Sequence, residues 1–221
     1  MDPQEIRDAA TVILVRRDGP EPRVLMGQRG AAAAFMPSKF VFPGGRVDPA
    51  DGEVDLQPGL QSECRRRLLV DATTSPEALA AAAIRELREE TGLSLARVGS
   101  AVGSIPAGWA SFYEQGLTPS GDALTFMFRA VTPPGRPRRF DARFFLAEAS
   151  GLLGDPEDFG AADGELAHLS WLAIADARAL DLPFVTRVVL AELEDRLNDS
   201  QANRPVPYFR HGAEVSEVLT L

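Results

Sequence analysis

The sequence predicts an α/β fold in which helices are interleaved with a mixed sheet. Two pairs of apolar, β-branched or aromatic runs each flank a cluster of turn residues, the pattern of antiparallel strand pairs. Between the pairs lies an alanine-rich stretch with apolar residues at helical spacing and a stop or start signal at each end. Towards the C-terminus a short apolar run passes into helical periodicity, and a longer amphipathic stretch follows.

Taken in order, TVILVRR at 11 to 17 and RVLMGQR at 23 to 29 read as two strands joined by the turn residues DGPEP. KFVFPGGRV reads as a third strand running into a glycine loop. LQSECRRRLL has the composition of a short helix. LTFMFRAV at 124 to 131 and ARFFLAEA at 142 to 149, around TPPGRPRR, form the second strand pair. LSWLAIADARAL reads as a strand followed by a helix, and LPFVTRVVLAELEDRLN as a terminal amphipathic helix. PVPYFRHG is expected to pack back on the domain or on a second copy. No repeats or low-complexity linkers divide the chain, so one domain spanning 1 to 221 is expected.

The alanine-rich helix has the clearest boundaries. Ser75 is a good N-cap, Pro76 is harmless in a first turn, and Glu77 there suits the helix dipole. Leu79, Ala83 and Leu87 recur every four residues with Ile84 beside them, and Gly92 supplies the stop. Its last turns carry Glu86, Glu89 and Glu90, three or four residues apart and so on one side. Like charges at that spacing repel by a few tenths of a kcal/mol per pair, and the negative helix end disfavours each by roughly 0.3–1 kcal/mol more. Arg85 and Arg88 offset part of this. Such a cluster is either a solvated face or a site built for a cation.

Other residues favour the second reading. REL-R-EE-T-G-L at 85 to 93 resembles, position for position, the core of the Nudix hydrolase box, and FPGG at 42 to 45 resembles the glycine pair that opens it. The resemblance implies an α/β/α sandwich with a mixed central sheet and a phosphoanhydride hydrolase needing Mg²⁺ or Mn²⁺. It implies Glu86, Glu89 and Glu90 as catalytic metal ligands, with the Gly45 carbonyl as another. Gly44 and Gly45 would border the substrate. Arg85 would orient the helix, with Glu77 taken as the upstream glutamate of the box. Hard divalent cations suit this donor set, since they take carboxylate and phosphate oxygens and keep several waters.

The pattern departs from the box in its length. Gly45 precedes Glu77 by thirty-two residues instead of six, so a compact excursion with a short helix is expected at about 46 to 72. This interruption, FVFPGGRVDPAD and PRRFDARFFLA together resemble interrupted-box Nudix proteins that include peroxisomal coenzyme A diphosphatases. That implies coenzyme A or an acyl-CoA as substrate, with ADP-ribose or another nucleotide sugar as the alternative. Upstream of the box, Leu25 and Arg29 agree with the coenzyme A signature, while Ala33, Ala34 and the surrounding residues do not.

Arg29 is a candidate substrate-phosphate contact or a structural arginine. Glu165, on a later loop, is the candidate general base, with Asp163 and a box glutamate as rivals. Arg136, Arg138 and Arg139 form a basic patch or a solvated hairpin tip, and Asp141 with Arg143 suggests a structural ion pair. Trp109, Phe112 and Tyr113 suit either an aromatic wall for a nucleotide or core packing. His168 and His211 lack metal-ligand spacing.

A net charge of −9 argues against nucleic acid or an anionic membrane as partner and leaves a small nucleotide diphosphate, whose charge metal and arginines would offset. No apolar run nears a membrane span, no basic-apolar leader is visible, and the single Cys64 excludes an internal disulfide, so a cytoplasmic protein is expected. A homodimer is common among such relatives. The other class of function left open is a nucleotide-binding sensor of this fold that cleaves nothing.

Overall fold

The computed structural model describes residues 5–33, 36–101, 103–199, 204–211 and 216–221. Ala34, part of the 30–39 loop and Gly212 of the C-terminal segment lie outside the described residues.

The strands are β1 (Ile6–Arg16), β2 (Arg23–Arg29), β3 (Phe40–Val41), β4 (Gly44–Arg46), β5 (Ala96–Val98), β6 (Leu117–Pro119), β7 (Thr125–Val131), β8 (Arg139–Glu148), β9 (Leu166–Ala173), β10 (Pro207–His211) and β11 (Ser216–Thr220). The helices are α1 (Ser62–Leu68), α2 (Pro76–Thr91), α3 (Ala110–Tyr113), α4 (Ile174–Ala179) and α5 (Phe184–Asn198). Among the described residues, nine strands form one mixed sheet and β5 pairs with β6 separately. No helix there is long and apolar enough to cross a membrane.

β1 is central because both of its faces are apolar. Ala10, Val12 and Leu14 join the core beneath α2, while Ile13 and Val15 join the core beneath α5. Alternation along β2 does the same, with Leu25 on one side and Val24 and Met26 on the other. The result is the expected α/β/α sandwich. β1 runs parallel to β8 over its length, from Ile6↔Arg139 to Val15↔Glu148.

The other edge of β1 is shared. Its C-terminal end pairs with β2 at Val15↔Val24, and its N-terminal half pairs with β4 at Ala9↔Arg46, Ala10↔Gly45 and Thr11↔Gly44. β2 leaves β1 and runs on between β3 and β9. This divergence puts the glycine loop beside the middle of β1, under the C-terminal half of α2. Only glycine fits position 44, where a Cβ would stand 2.5 Å from the Ala10 carbonyl oxygen and 2.6 Å from Thr11 Cα.

α2 has the caps the sequence predicts. Ser75 Oγ accepts the Ala78 N–H at 3.1 Å, and Gly92 closes the helix at φ 80°. Between β4 and α2 the chain makes a 3₁₀ turn at Pro49–Glu53 and then α1, which packs on β7 and α2. Its end is pinned by the buried Arg129, which donates to the Val70 and Asp71 carbonyls at 2.6 and 2.9 Å and pairs with Asp141. Arg143 pairs with Asp8 and Asp141, as a structural ion pair. The segment expected to pack back does so as β10, parallel to β7, and β11 extends it. β5, β6 and α3 are too short and irregular to stand out in the sequence pattern.

Candidate active site

α2 presents its carboxylates to the glycine loop. Glu90 is buried at 2% exposure, and its Oε2 accepts the Gly44 N–H at 2.7 Å. The Gly44 amide therefore holds Glu90 and is not free for a substrate. Gly45 lies flat against the Glu86 carboxylate, which would overlap any Cβ placed there. Glu89, more open than its neighbours, takes a hydrogen bond from Arg85 Nη1 at 2.9 Å, and Glu86 takes one from the same nitrogen at 2.8 Å.

The Arg85 guanidinium is the hinge of this arrangement. Its Nε and Nη2 donate to the two oxygens of Asp51 at 2.9 and 3.0 Å, and Nη2 also donates to the Arg46 carbonyl at 2.9 Å. Asp51 is wholly buried and accepts two more donors, the Asp48 N–H at 2.8 Å and Trp109 Nε1 at 3.3 Å. Burial works against the charge on Arg85, but the Asp51 bonds and the carboxylates of Glu86 and Glu89 outweigh it and hold its pKa above the usual arginine range.

Glu77 is not part of this contact. Nine residues upstream of Glu86 on the same helix, about 13.5 Å along its axis, it pairs with Arg65 of α1 at 2.7 Å. The carboxylate that secures Arg85 comes instead from Asp51, six residues beyond Gly45, the spacing the box ordinarily has. That count was a usable signal in the sequence. An aspartate in place of the glutamate of the box obscures it.

Two residues from distant segments complete the site. Arg29, at the end of β2, and Glu165, just before β9, are bridged at 2.7 Å, and the Arg29 Nε is buried with no hydrogen-bond partner among the described residues. The charges of Glu165 and Arg29 both reach Glu90, and that of Glu165 reaches Glu86. Asp163 lies close by, its N–H donating to the Glu89 carbonyl at 2.8 Å and its Oδ1 accepting the Glu165 N–H at 2.8 Å.

The site holds excess negative charge. Burial pushes the Glu86 carboxyl up to about 7, against the opposing pull of Arg85, and Glu89 and Glu165 add to the rise. Burial raises Glu90 well above the carboxylate range, with Gly44 opposing and Glu86 and Glu165 adding. Glu89 is raised too, chiefly by burial. Glu86 and Glu89 are turned to Arg85, and Glu90 to Gly44, so among the described residues no three carboxyl, imidazole or thiol groups already converge as a metal cage. A magnesium-like ion needs only one or two carboxylates, with waters and substrate phosphates supplying the rest. The oxygen donors present, and their surplus charge, fit that requirement.

Beside Glu89 opens a cavity of about 300 Å³, bordered by α2, α3 and the 161–163 segment. Trp109 and Phe112 are buried and stack on each other at 5.4 Å, so they are core residues whose edges reach the cavity wall. Tyr113 packs against both. The remaining candidates lie elsewhere. Arg136 and Arg138 are exposed at the β7–β8 turn, whereas Arg139 is buried and bonds the Thr132 and His211 carbonyls. His168 is exposed, and His211 faces Ser216 at 2.6 Å.

Comparison with known proteins bears on the family and the fold. The family profile described as NUDIX domain matches residues 5–193. The chain is similar to the Caenorhabditis elegans protein designated nudix hydrolase 7, with 30% identity over 177 residues, 75% of this chain and 51% of that one. It thus spans about half the length of that relative. Among solved structures it resembles a NUDIX hydrolase from Alicyclobacillus acidocaldarius, with TM-score 0.65, 28% identity, and coverage of 88% of this chain and 96% of the other. A binary complex of a C. elegans Ap4A hydrolase shares the fold at TM-score 0.50 and 16% identity, over 87% and 98% of the two chains.

Proposed function

The chain belongs to the NUDIX domain family, and from that premise we propose that it is a metal-dependent hydrolase of a phosphoanhydride bond in a nucleoside diphosphate derivative. One observation carries the reading. Glu86, Glu89, Glu90 and Glu165 are gathered beside a glycine loop, with Arg85 and Arg29 the only cations paired to them among the described residues. Glu86, Glu89 and Glu90 would hold Mg²⁺ or Mn²⁺, with the Gly45 carbonyl beside them. When bound, the ion would polarise phosphoryl oxygens and lower the pKa of a bound water.

The chain's own residues do the rest. The Gly44 amide keeps Glu90 turned into the site, Asp51 keeps Arg85 in place, and Arg85 keeps Glu86 and Glu89 on one side of the helix. Glu165, exposed and held by Arg29, is assigned to accept the proton of the attacking water. Arg29, whose buried Nε has no partner among the described residues, is assigned to a substrate phosphate. We place the start of the inserted chain after Asp51, leaving the first half of the box unbroken.

Coenzyme A or an acyl-CoA is the proposed substrate, on the strength of the interrupted box and its flanking motifs. The test is product formation, by chromatography with mass detection, from coenzyme A, acyl-CoAs, ADP-ribose, NADH and nucleoside triphosphates with Mg²⁺, Mn²⁺ or chelator. Adenosine 3′,5′-bisphosphate from coenzyme A, lost in chelator, supports the whole reading. Metal-dependent cleavage of ADP-ribose alone removes the coenzyme A assignment. Binding without cleavage across the panel removes the enzyme.

A further inference from the structure

We propose that Arg88 is a substrate-binding residue whose guanidinium receives a further phosphate group carried by the substrate in addition to the diphosphate that is cleaved. The inference rests on the reading above that substrate lies against Glu89, because the cavity concerned is bordered by both Glu89 and Arg88.

Arg88 is held as a ligand-binding arginine would be. Its Cζ stands 5.0 Å from the centroid of the buried Phe112 ring, and its Nη1 donates to Ser94 Oγ. The ring contact and the serine bond restrain the guanidinium at two points, so less freedom remains to be lost on binding. None of the described residues gives it a carboxylate partner. The two carboxylates on the cavity wall are engaged elsewhere, Glu89 by Arg85 and Asp163 by the Glu165 amide. Ser111 and Gln115, both exposed on the same wall, add neutral donors suited to phosphate oxygens. An arginine held in place, without a carboxylate partner among the described residues and opening on a cavity, is a local exception in a protein of net charge −9. A planar fork with free donors matches a phosphate better than any neutral group.

Two kinds of substrate carry such a group: one with a phosphate on the ribose, and one with a longer phosphate chain. Equilibrium binding in chelator, by calorimetry, separates them without needing turnover. Coenzyme A is compared with its 3′-dephospho form, and ATP with ADP, for the wild type, Arg88→Met and Arg88→Lys. The wild type should prefer the more phosphorylated member of one pair by about 10- to 100-fold, the scale of a charge-assisted hydrogen bond. Arg88→Met should remove that preference and leave the less phosphorylated member bound as before, while Arg88→Lys should keep part of it. Should Arg88→Met fail to fold, Arg88→Lys still decides, because loss of the fork alone must shrink the preference. Equal binding within both pairs, or a preference that survives both substitutions, overturns the proposal. A preference that depends on Arg88 in a protein that cleaves nothing would overturn the hydrolase reading and leave this one standing.

Discussion

Replacing Asp51 by asparagine should destabilise the fold by about 3 kcal/mol, while Glu77→Gln should be nearly silent. Asp51 is fully buried and carries two hydrogen bonds from Arg85, with the Asp48 amide and Trp109 Nε1 on the same oxygens. Asparagine keeps the volume but removes the charge and turns an amide NH₂ toward donors. Breaking a buried ion pair from one side costs about 3–5 kcal/mol. Arg85 retains Glu86, Glu89 and the Arg46 carbonyl, which puts the expected loss at the lower end. For a chain of this size that is roughly a 6–12 °C fall in Tm. The Glu77–Arg65 pair has side chains 38% and 52% exposed, and such a pair contributes within about 0.5 kcal/mol. Urea unfolding in chelator measures both, with an unchanged m-value as the control for a common denatured state. If Asp51→Asn stays within about 1 kcal/mol of wild type, or Glu77→Gln costs as much, then Asp51 does not hold the box arginine.

Three further outcomes follow from the same geometry. Glu89→Gln and Glu90→Gln should each cut turnover by orders of magnitude while the protein stays folded, and unchanged rates with Mg²⁺ present would refute the ligand assignment. The two glycines should separate: Gly44→Ala drives a Cβ into the backbone of β1 and should lower Tm, whereas Gly45→Ala meets only the movable end of Glu86 and should lower turnover with Tm nearly unchanged. A Tm loss as large for Gly45→Ala as for Gly44→Ala would contradict this. Finally, the metal-free protein should lose stability as pH rises. Glu86 is held at about 7, above its ordinary 4.5, so the folded state binds more protons between those values. Its contribution is full below 4.5 and is lost as pH rises through 7. That difference corresponds to about 3 kcal/mol, and Glu89 and Glu90 act in the same direction. Thermal scans in chelator from pH 5 to 8 check it, and a Tm that climbs over that range would show that Glu86 is not the buried, proton-hungry carboxylate described.

The helix carrying the box was legible because everything that defines it is local. Ser75, Pro76, Gly92 and the four-residue spacing of Leu79, Ala83 and Leu87 lie within one stretch of chain, and the caps and buried stripe follow from them. The two strand pairs were legible for the same reason, though β1 begins at Ile6, earlier than its apolar run suggests, because ten residues of β8 pair along it. β10 and β11 do not stand out in the sequence because β10 is held by the edge of β7 and β11 by β10, and not by their own pattern.

By itself, the sequence determined that three glutamates and an arginine share one side of a capped helix, since helical spacing alone puts them there. Tertiary structure decided which groups answer them. Asp51 reaches Arg85 across 34 residues of sequence, and Arg29 reaches Glu165 across 136. Both contacts exist because β2 parts from β1, letting the glycine loop take its place against α2 and carrying the end of β2 to β9. Hydrogen bonds between side chains that distant leave no periodicity in a sequence, and beyond the six-residue count from Gly45 to Asp51 it is the packing of the sheet beneath the helix that selects one carboxylate over another.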